Sequence, residues 1–136
     1  MIQGLSHITL IVHDLDRMTD FLTTIFDAEQ VYDSGDAHHS LSPERFFRIC
    51  DVWLAIMKGD ALRDKTYNHL AFKIPDAEFD AYEKRVHEYG VEVRASRSRI
   101  GGEGRSLYFH DHDNHLFELH TGTLDDRLAA YAAAVK

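Results

Sequence analysis

Two stretches of this chain run through the same order of elements, and that repeat limits the fold more than any other feature of the sequence. In the first, HITLIV (7–12) is β-branched and strand-like, and Asp14 offers an N-cap to LDRMTDFLTTIF. Leu15, Met18, Leu22 and Ile25 recur there at helical spacing. A weaker strand, EQVYD, leads into the loop-rich DSGDAHHSLSPE (33–44), after which FFRIC and VWLAIM read as a hairpin. The second stretch opens with HLAFKI (69–74). Pro75 and Asp76 start a helix with Phe79, Tyr82, Val86 and Tyr89 on one face, and Gly90 is placed to end it. VEVRAS, RSLYFH and HLFELH supply three more strands. Each half is therefore β-α-β-β-β, and laying HITLIVHDLDRMTDFL over HLAFKIPDAEFDAYEK superimposes His7 on His69.

The expectation is an α+β fold of paired βαβββ modules in one 136-residue domain, module one over about 5–58 and module two over about 67–121. A last helix is expected over 124–135, with Thr123 and Asp126 as its capping box and Leu124, Leu128 and Tyr131 on its packing face. Fifteen basic against 23 acidic residues give a net charge of −8, which argues against general nucleic-acid or acidic-membrane binding. An anionic substrate would need a local basic pocket inside a repelling average field. The lone Cys50 excludes an internal disulfide and reads as a buried strand cysteine within FFRICDVWLAIM. MIQGLSHITL has no leader pattern, and no apolar run is long enough to span a membrane, so a cytoplasmic protein is expected.

LYFHDHDNHLFELH (107–120) holds four of the ten histidines. HDHDNH is a polar, turn-forming run, so His110, His112 and His115 read as a solvated turn rather than ligands. Glu118 differs, because a carboxylate inside an apolar strand needs a partner; a salt bridge and a metal both answer. His7 and His69 stand at equivalent points of the repeat, where pseudo-symmetry can bring both to one axis. With Glu118 they would make a face of two histidines and one carboxylate with open positions, suited to Mn²⁺, Fe²⁺ or a similar divalent ion.

On these residues the chain resembles the vicinal-oxygen-chelate superfamily of paired βαβββ modules, which includes glyoxalase I, extradiol dioxygenases and bleomycin-resistance proteins. More narrowly it resembles the fosfomycin-resistance enzymes over essentially its whole length. GLSHITLIVHDLDRMTDFL matches their opening, YNHLAFKI their central strand, and GEGRSLYFHDHDNHLFELHTGTLDDRL their closing block. The resemblance implies that His7, His69 and Glu118 hold a divalent metal, Mn²⁺ foremost, with no organic cofactor. It also implies a homodimer of domain-swapped type, in which modules pair across the chains and the other subunit supplies His7. The hydrating, FosX-type branch is nearest, and Glu44 in SPERFF matches its glutamate in the loop before the third strand.

The implied activity is a metal-dependent epoxide hydrolase that adds water to the oxirane of fosfomycin, a small phosphonate, and so confers antibiotic resistance. Glu44 would take the proton from water. Thr9, Tyr108 and Arg127 would contact the phosphonate, with Trp53 and Tyr67 lining the pocket. Arg94 stands where the family has a lysine, and Arg97, Arg99 and Arg105 in the longer loop ASRSRIGGEG are its rivals. GGEG (101–104) leads into a strand, so it is no phosphate loop of the strand-to-helix kind, and Gly102 stands where thiol-adding relatives commonly carry serine. The alternatives are a transferase that opens the same epoxide with glutathione or another thiol, and a non-catalytic drug-binding protein.

Overall fold

The computed structural model describes residues 1–36, 39–95 and 99–135. It divides into two units: Met1–Asp64 with His112–Asn114, and Lys65–Asp111 with His115–Lys136.

The first unit holds β1 (Ile8–Val12), α1 (Leu15–Phe26), β2 (Glu29–Asp33), β3 (Glu44–Ile49) and β4 (Val52–Lys58). Its sheet runs β1-β4-β3-β2, with β1 parallel to β4 and the other pairs antiparallel. Asp14 caps α1 by accepting from the Arg17 N–H, and Asp27 ends it in a left-handed conformation (φ 52°). The apolar stripe Met18, Phe21, Leu22, Ile25 and Phe26 is buried, and the helix packs on β2, β3 and β4. Strand alternation sends Phe47, Ile49, Leu54 and Ile56 to the same side, all of them buried. Burying each such side chain contributes roughly 1.5–3 kcal/mol, which is what fixes the register. The register Phe46↔Ala55↔Thr9 then leaves Thr9, Trp53, Phe46 and Glu44 on the opposite face.

The second unit repeats this order. It holds β5 (His69–Lys73), α2 (Phe79–Tyr89), β6 (Val93–Arg94), β7 (Ser106–His110) and β8 (Leu116–His120), followed by α3 (Leu124–Ala134). Its sheet runs β5-β8-β7-β6 with β5 parallel to β8, strand for strand the order of the first. Leu107, Phe109, Phe117 and Leu119 form the buried face, and Phe79 and Val86 of α2 are buried too. The paired βαβββ architecture expected from the repeat is the architecture observed.

Several local expectations are corrected. Cys50 is exposed: the tight turn between β3 and β4 passes through it at φ 52°, so the thiol lies outside the strand instead of in the core. His110 is the last residue of β7 and is buried, and Asp111 and Asp113 after it are buried as well, so the turn is not solvated throughout. The Asp113 carboxylate accepts from the His13 N–H at 2.9 Å within the first unit, and Asp111 holds His115 through its ring Nδ1 (2.7 Å) and its backbone N–H. Pro75 is extended and starts a one-turn 3-10 helix, Asp76–Glu78, before α2 begins. Gly90 ends α2 at φ 91°, as expected. Among the described residues VEVRAS pairs through Val93 and Arg94. The capping box of α3 is present, yet Leu124, Leu128 and Tyr131 are exposed and Ala130 is its buried residue. Among the described residues no helix is long and apolar enough to cross a membrane.

Candidate metal centre and substrate face

The register of the second sheet puts one group of polar side chains on one face. Glu118 lies opposite Ala71 on β5 and Tyr108 on β7, and His69 is two positions before Ala71. Same-face side chains on neighbouring strands offset by two positions are within reach when both are long, and Ala71 leaves the space between them open. The result is a contact of 2.9 Å between His69 Nε2 and Glu118 Oε1.

The second atoms of both groups are held. His69 Nδ1 lies 2.7 Å from the Tyr67 carbonyl, which can only accept, so Nδ1 carries a proton; in the neutral ring Nε2 then turns its lone pair to the carboxylate. Ser106 Oγ donates to Glu118 Oε2 at 2.5 Å, which leaves Oε1 turned toward His69. A ring lone pair and a carboxylate oxygen face to face call for a positive centre between them. Fixing each ligand through its other atom is the usual support of a metal site. These residues therefore fit a borderline-to-hard divalent cation as two of its ligands. Among the described residues no three His, Cys, Asp or Glu side chains group as a complete ligand set within the chain.

Around the pair stands a ring of donors. The Tyr67 hydroxyl donates to the Tyr108 hydroxyl at 2.9 Å, and Arg99 Nη2 donates to the same oxygen at 2.9 Å. With two donors already on its oxygen, Tyr108 keeps its own proton for a ligand. Burial first of all, with the Glu118 charge, pushes the Tyr108 phenol up to about 12 against the pull of Arg99, so it stays neutral. Arg99 Nη2 also lies 3.6 Å from Glu118 Oε2. His120 Nδ1 meets Ser106 Oγ at 2.7 Å, and burial holds this imidazole below its usual range against the pull of Glu118. Arg127 Nη2 lies 3.4 Å from His120 Nε2.

The rival arginines separate on this geometry. The Arg94 guanidinium stacks over the Tyr67 ring at 5.1 Å, and Arg99 reaches Tyr108 and Glu118 directly. Arg105 is committed to Asp76 and Asp80 and lies over the Phe79 ring. Arg97 lies outside the described residues. Sequence reasoning missed Ser106, Glu103 and the part His120 plays. Period-two alternation forward from Glu118 to His120, and across from there to β7, would have found Ser106; nothing local marks Glu103.

In the first unit His7, Thr9, Trp53 and Glu44 share one face. The His7 ring lies against Trp53 with centroids 4.3 Å apart and planes tilted by 31°, and Ser6 Oγ is 2.9 Å from its Nδ1. Trp53 in turn meets Phe46 edge-on at 5.1 Å. Glu44 is the first residue of β3 rather than a loop residue; its N–H donates to Ser34 Oγ and its carbonyl accepts from the Ser34 N–H. It is 9 % exposed, so the glutamate that would ordinarily be solvated is largely withdrawn from water. A cavity of about 530 Å³ in the same unit is lined by Asp14, Asp16, Asp33 and Asp36 together with Arg45 and Lys58, and Arg45 is already paired with Asp16 and Asp33.

Residues 4–119 match the family described as the Glyoxalase/Bleomycin resistance protein/Dioxygenase superfamily. The fosfomycin resistance protein FosX of Listeria innocua is 57% identical over 131 residues, covering 96% of this chain and 98% of that protein. FosX of Mesorhizobium japonicum is 56% identical over 136 residues, covering 100% of this chain and 98% of its own. A crystal structure of a glutamate-to-glutamine variant of FosX from Listeria monocytogenes, complexed with Mn(II) and 1S,2S-dihydroxypropylphosphonic acid, superposes with a TM-score of 0.89. That protein is 55% identical, and the match covers 96% of this chain and 99% of the other.

Proposed function

The chain belongs to the glyoxalase/bleomycin resistance protein/dioxygenase superfamily and, within it, to the FosX fosfomycin resistance proteins; from that premise we propose that it adds water to the oxirane of fosfomycin. The observation that carries the reading is the His69–Glu118 pair at 2.9 Å, set beside the Tyr108 hydroxyl and the Arg99 guanidinium on one sheet face. Chemistry from a relative supports it: 1,2-dihydroxypropylphosphonate, seen with Mn(II) in FosX, is what an epoxypropylphosphonate becomes when one water adds.

His69, Glu118 and His7 of the partner subunit are the proposed ligands of Mn²⁺ in a homodimer. Bound there, the ion would supply Lewis-acid stabilisation of the negative charge that ring opening puts on the oxirane oxygen. Glu44, which shares a sheet face with His7 and so comes from the same subunit as that ligand, takes a proton from water as the water oxygen bonds to an epoxide carbon; Thr9 and Trp53 of that face come with it. The carbon–oxygen bond of the ring breaks, its electron pair stays on the oxirane oxygen, and that oxygen takes a proton from solvent to complete the diol while Glu44 releases to solvent the one it took. Thr9, Tyr108 and Arg127 hold the phosphonate. Arg99 joins them ahead of Arg94, because its donors already reach the Tyr108 hydroxyl. Trp53 and Tyr67 wall the pocket. A cytoplasmic place of action belongs to the same reading.

The test is to incubate the Mn²⁺-loaded protein with fosfomycin and no thiol, in water enriched in ¹⁸O, and follow the phosphorus resonances. The expected result is a diol with one labelled oxygen. Conversion only on adding glutathione or another thiol would identify a transferase. Stoichiometric binding without conversion would identify a drug-binding protein.

A further inference from the structure

Glu103 is 1 % exposed, and no step of the proposed reaction uses it. It sits in GGEG between Gly102 and Gly104, both at φ +87°. A Cβ on Gly104 would come within 2.7 Å of the Gly122 backbone nitrogen, and a Cβ on Gly122 within 2.6 Å of the Glu103 carbonyl oxygen. The turn is therefore pressed against the backbone that enters α3, and the glutamate side chain goes inside. There Oε2 accepts from the Ile100 N–H at 3.0 Å. Oε1 accepts from the Tyr131 hydroxyl at 2.8 Å and from Arg99 Nη1 at 3.3 Å, and Arg127 Nε lies 3.8 Å away.

A buried carboxylate persists only where cations and donors surround it. Here the two cations are also aimed. Arg99 is held at one end by Glu103 and reaches Tyr108 with the other, while its Nε is buried with no hydrogen-bond partner. A buried guanidinium donor without an acceptor among the described residues is uncommon, and it suits an oxyanion that arrives with the ligand.

We propose that Glu103 is the positioning residue of a two-arginine clamp for the phosphonate. Its buried carboxylate holds Arg99 and Arg127 together beside Tyr108 and Glu118, so that the dianion meets both guanidinium groups at once. The identity of the anion rests on the fosfomycin reading; the clamp itself rests on the Glu103 contacts.

The experiment is calorimetric titration of methylphosphonate into the Mn²⁺-loaded protein, with Mn²⁺ affinity and thermal unfolding measured alongside. Glu103→Gln is expected to weaken methylphosphonate binding by about tenfold or more with Mn²⁺ affinity intact. In turnover, KM for fosfomycin rises by a similar factor, while kcat changes by less than about threefold. In an Arg99→Gln background the same substitution costs less than it does in the wild type, since only the hold on Arg127 is left to lose. Unchanged affinity in a folded Glu103→Gln protein overturns the clamp. So do full additivity with Arg99→Gln and a wild type that binds no methylphosphonate. If Glu103→Gln does not fold, Tyr131→Phe is read instead: about threefold weaker binding supports the proposal and unchanged binding overturns it. A wild type that leaves fosfomycin intact, yet loses methylphosphonate affinity on Glu103→Gln, would remove the hydrolase and keep the clamp.

Discussion

Glu44 and His110 are both withdrawn from water, with opposite consequences. Glu44 has its backbone tied to Ser34 on both sides, so the carboxylate is carried on a fixed strand end. Glu44→Gln is expected to lower kcat by about 10²–10⁴-fold, the usual worth of a general base, with Mn²⁺ affinity unchanged in a metal titration. Near-full hydration by that variant would remove the role. Among the described residues His110 has no hydrogen-bond partner on either ring nitrogen, and burial first of all pushes it below the ordinary value of 6.5. Lys65 and Arg94 push the same way, while Glu92 and Asp111 oppose. The fold therefore favours the neutral ring. As pH falls through the ordinary histidine range the unfolded chain takes up a proton before the folded one does, and stability drops until the depressed folded value is reached. Between about pH 7.5 and about pH 5.5 the wild type should lose more melting temperature than His110→Leu, read by calorimetry. The metal-ligand candidates were legible because a carboxylate in an apolar strand and a histidine opening each repeat are exceptions to a pattern. His110 was not, because HDHDNH reads as a turn from its first residue and the sequence does not say that β7 runs one residue into it.

At the scale of elements, the strands and the two long helices follow from periodicity and caps, and the errors lie where tertiary contact decides. The apolar residues of α3 promise a packing face at Leu124, Leu128 and Tyr131. The helix instead sets Ala130 inward, near Gly102, and sends the Tyr131 hydroxyl to Glu103. A hydrogen bond from an otherwise exposed aromatic has no signature in local spacing. GGEG likewise reads as a loose loop until Gly122 is seen against it. Gly104→Ala forces a side chain onto left-handed backbone and into the Gly122 nitrogen. It is expected to cost about 1–3 kcal/mol, read in denaturant unfolding, and to loosen methylphosphonate binding together with stability. Loss of stability alone, with anion affinity kept, would separate the turn from the clamp.

For the whole molecule the repeat was the most informative part of the sequence: an equal order of elements yields two sheets of equal strand order. What it could not supply is how modules pair between chains, since the same two surfaces serve either arrangement. Subunit complementation tests this. His7→Ala and Glu118→Ala proteins should each be inactive, and refolding them together should restore about a quarter of wild-type activity, because half the dimers are mixed and each has one intact site. No recovery would mean that the ligands come from one chain. Removing the metal with a chelator should abolish turnover and lower the melting temperature, and Mn²⁺ should restore both. The turn between β3 and β4 offers another way to see the assembly. It holds the chain's lone thiol in the open, so a maleimide nitroxide would attach once per polypeptide without any engineered substitution. Pulsed dipolar spectroscopy on that sample would return one sharp interspin distance from a symmetric pair, and would follow that distance as manganese is replaced by a diamagnetic ion.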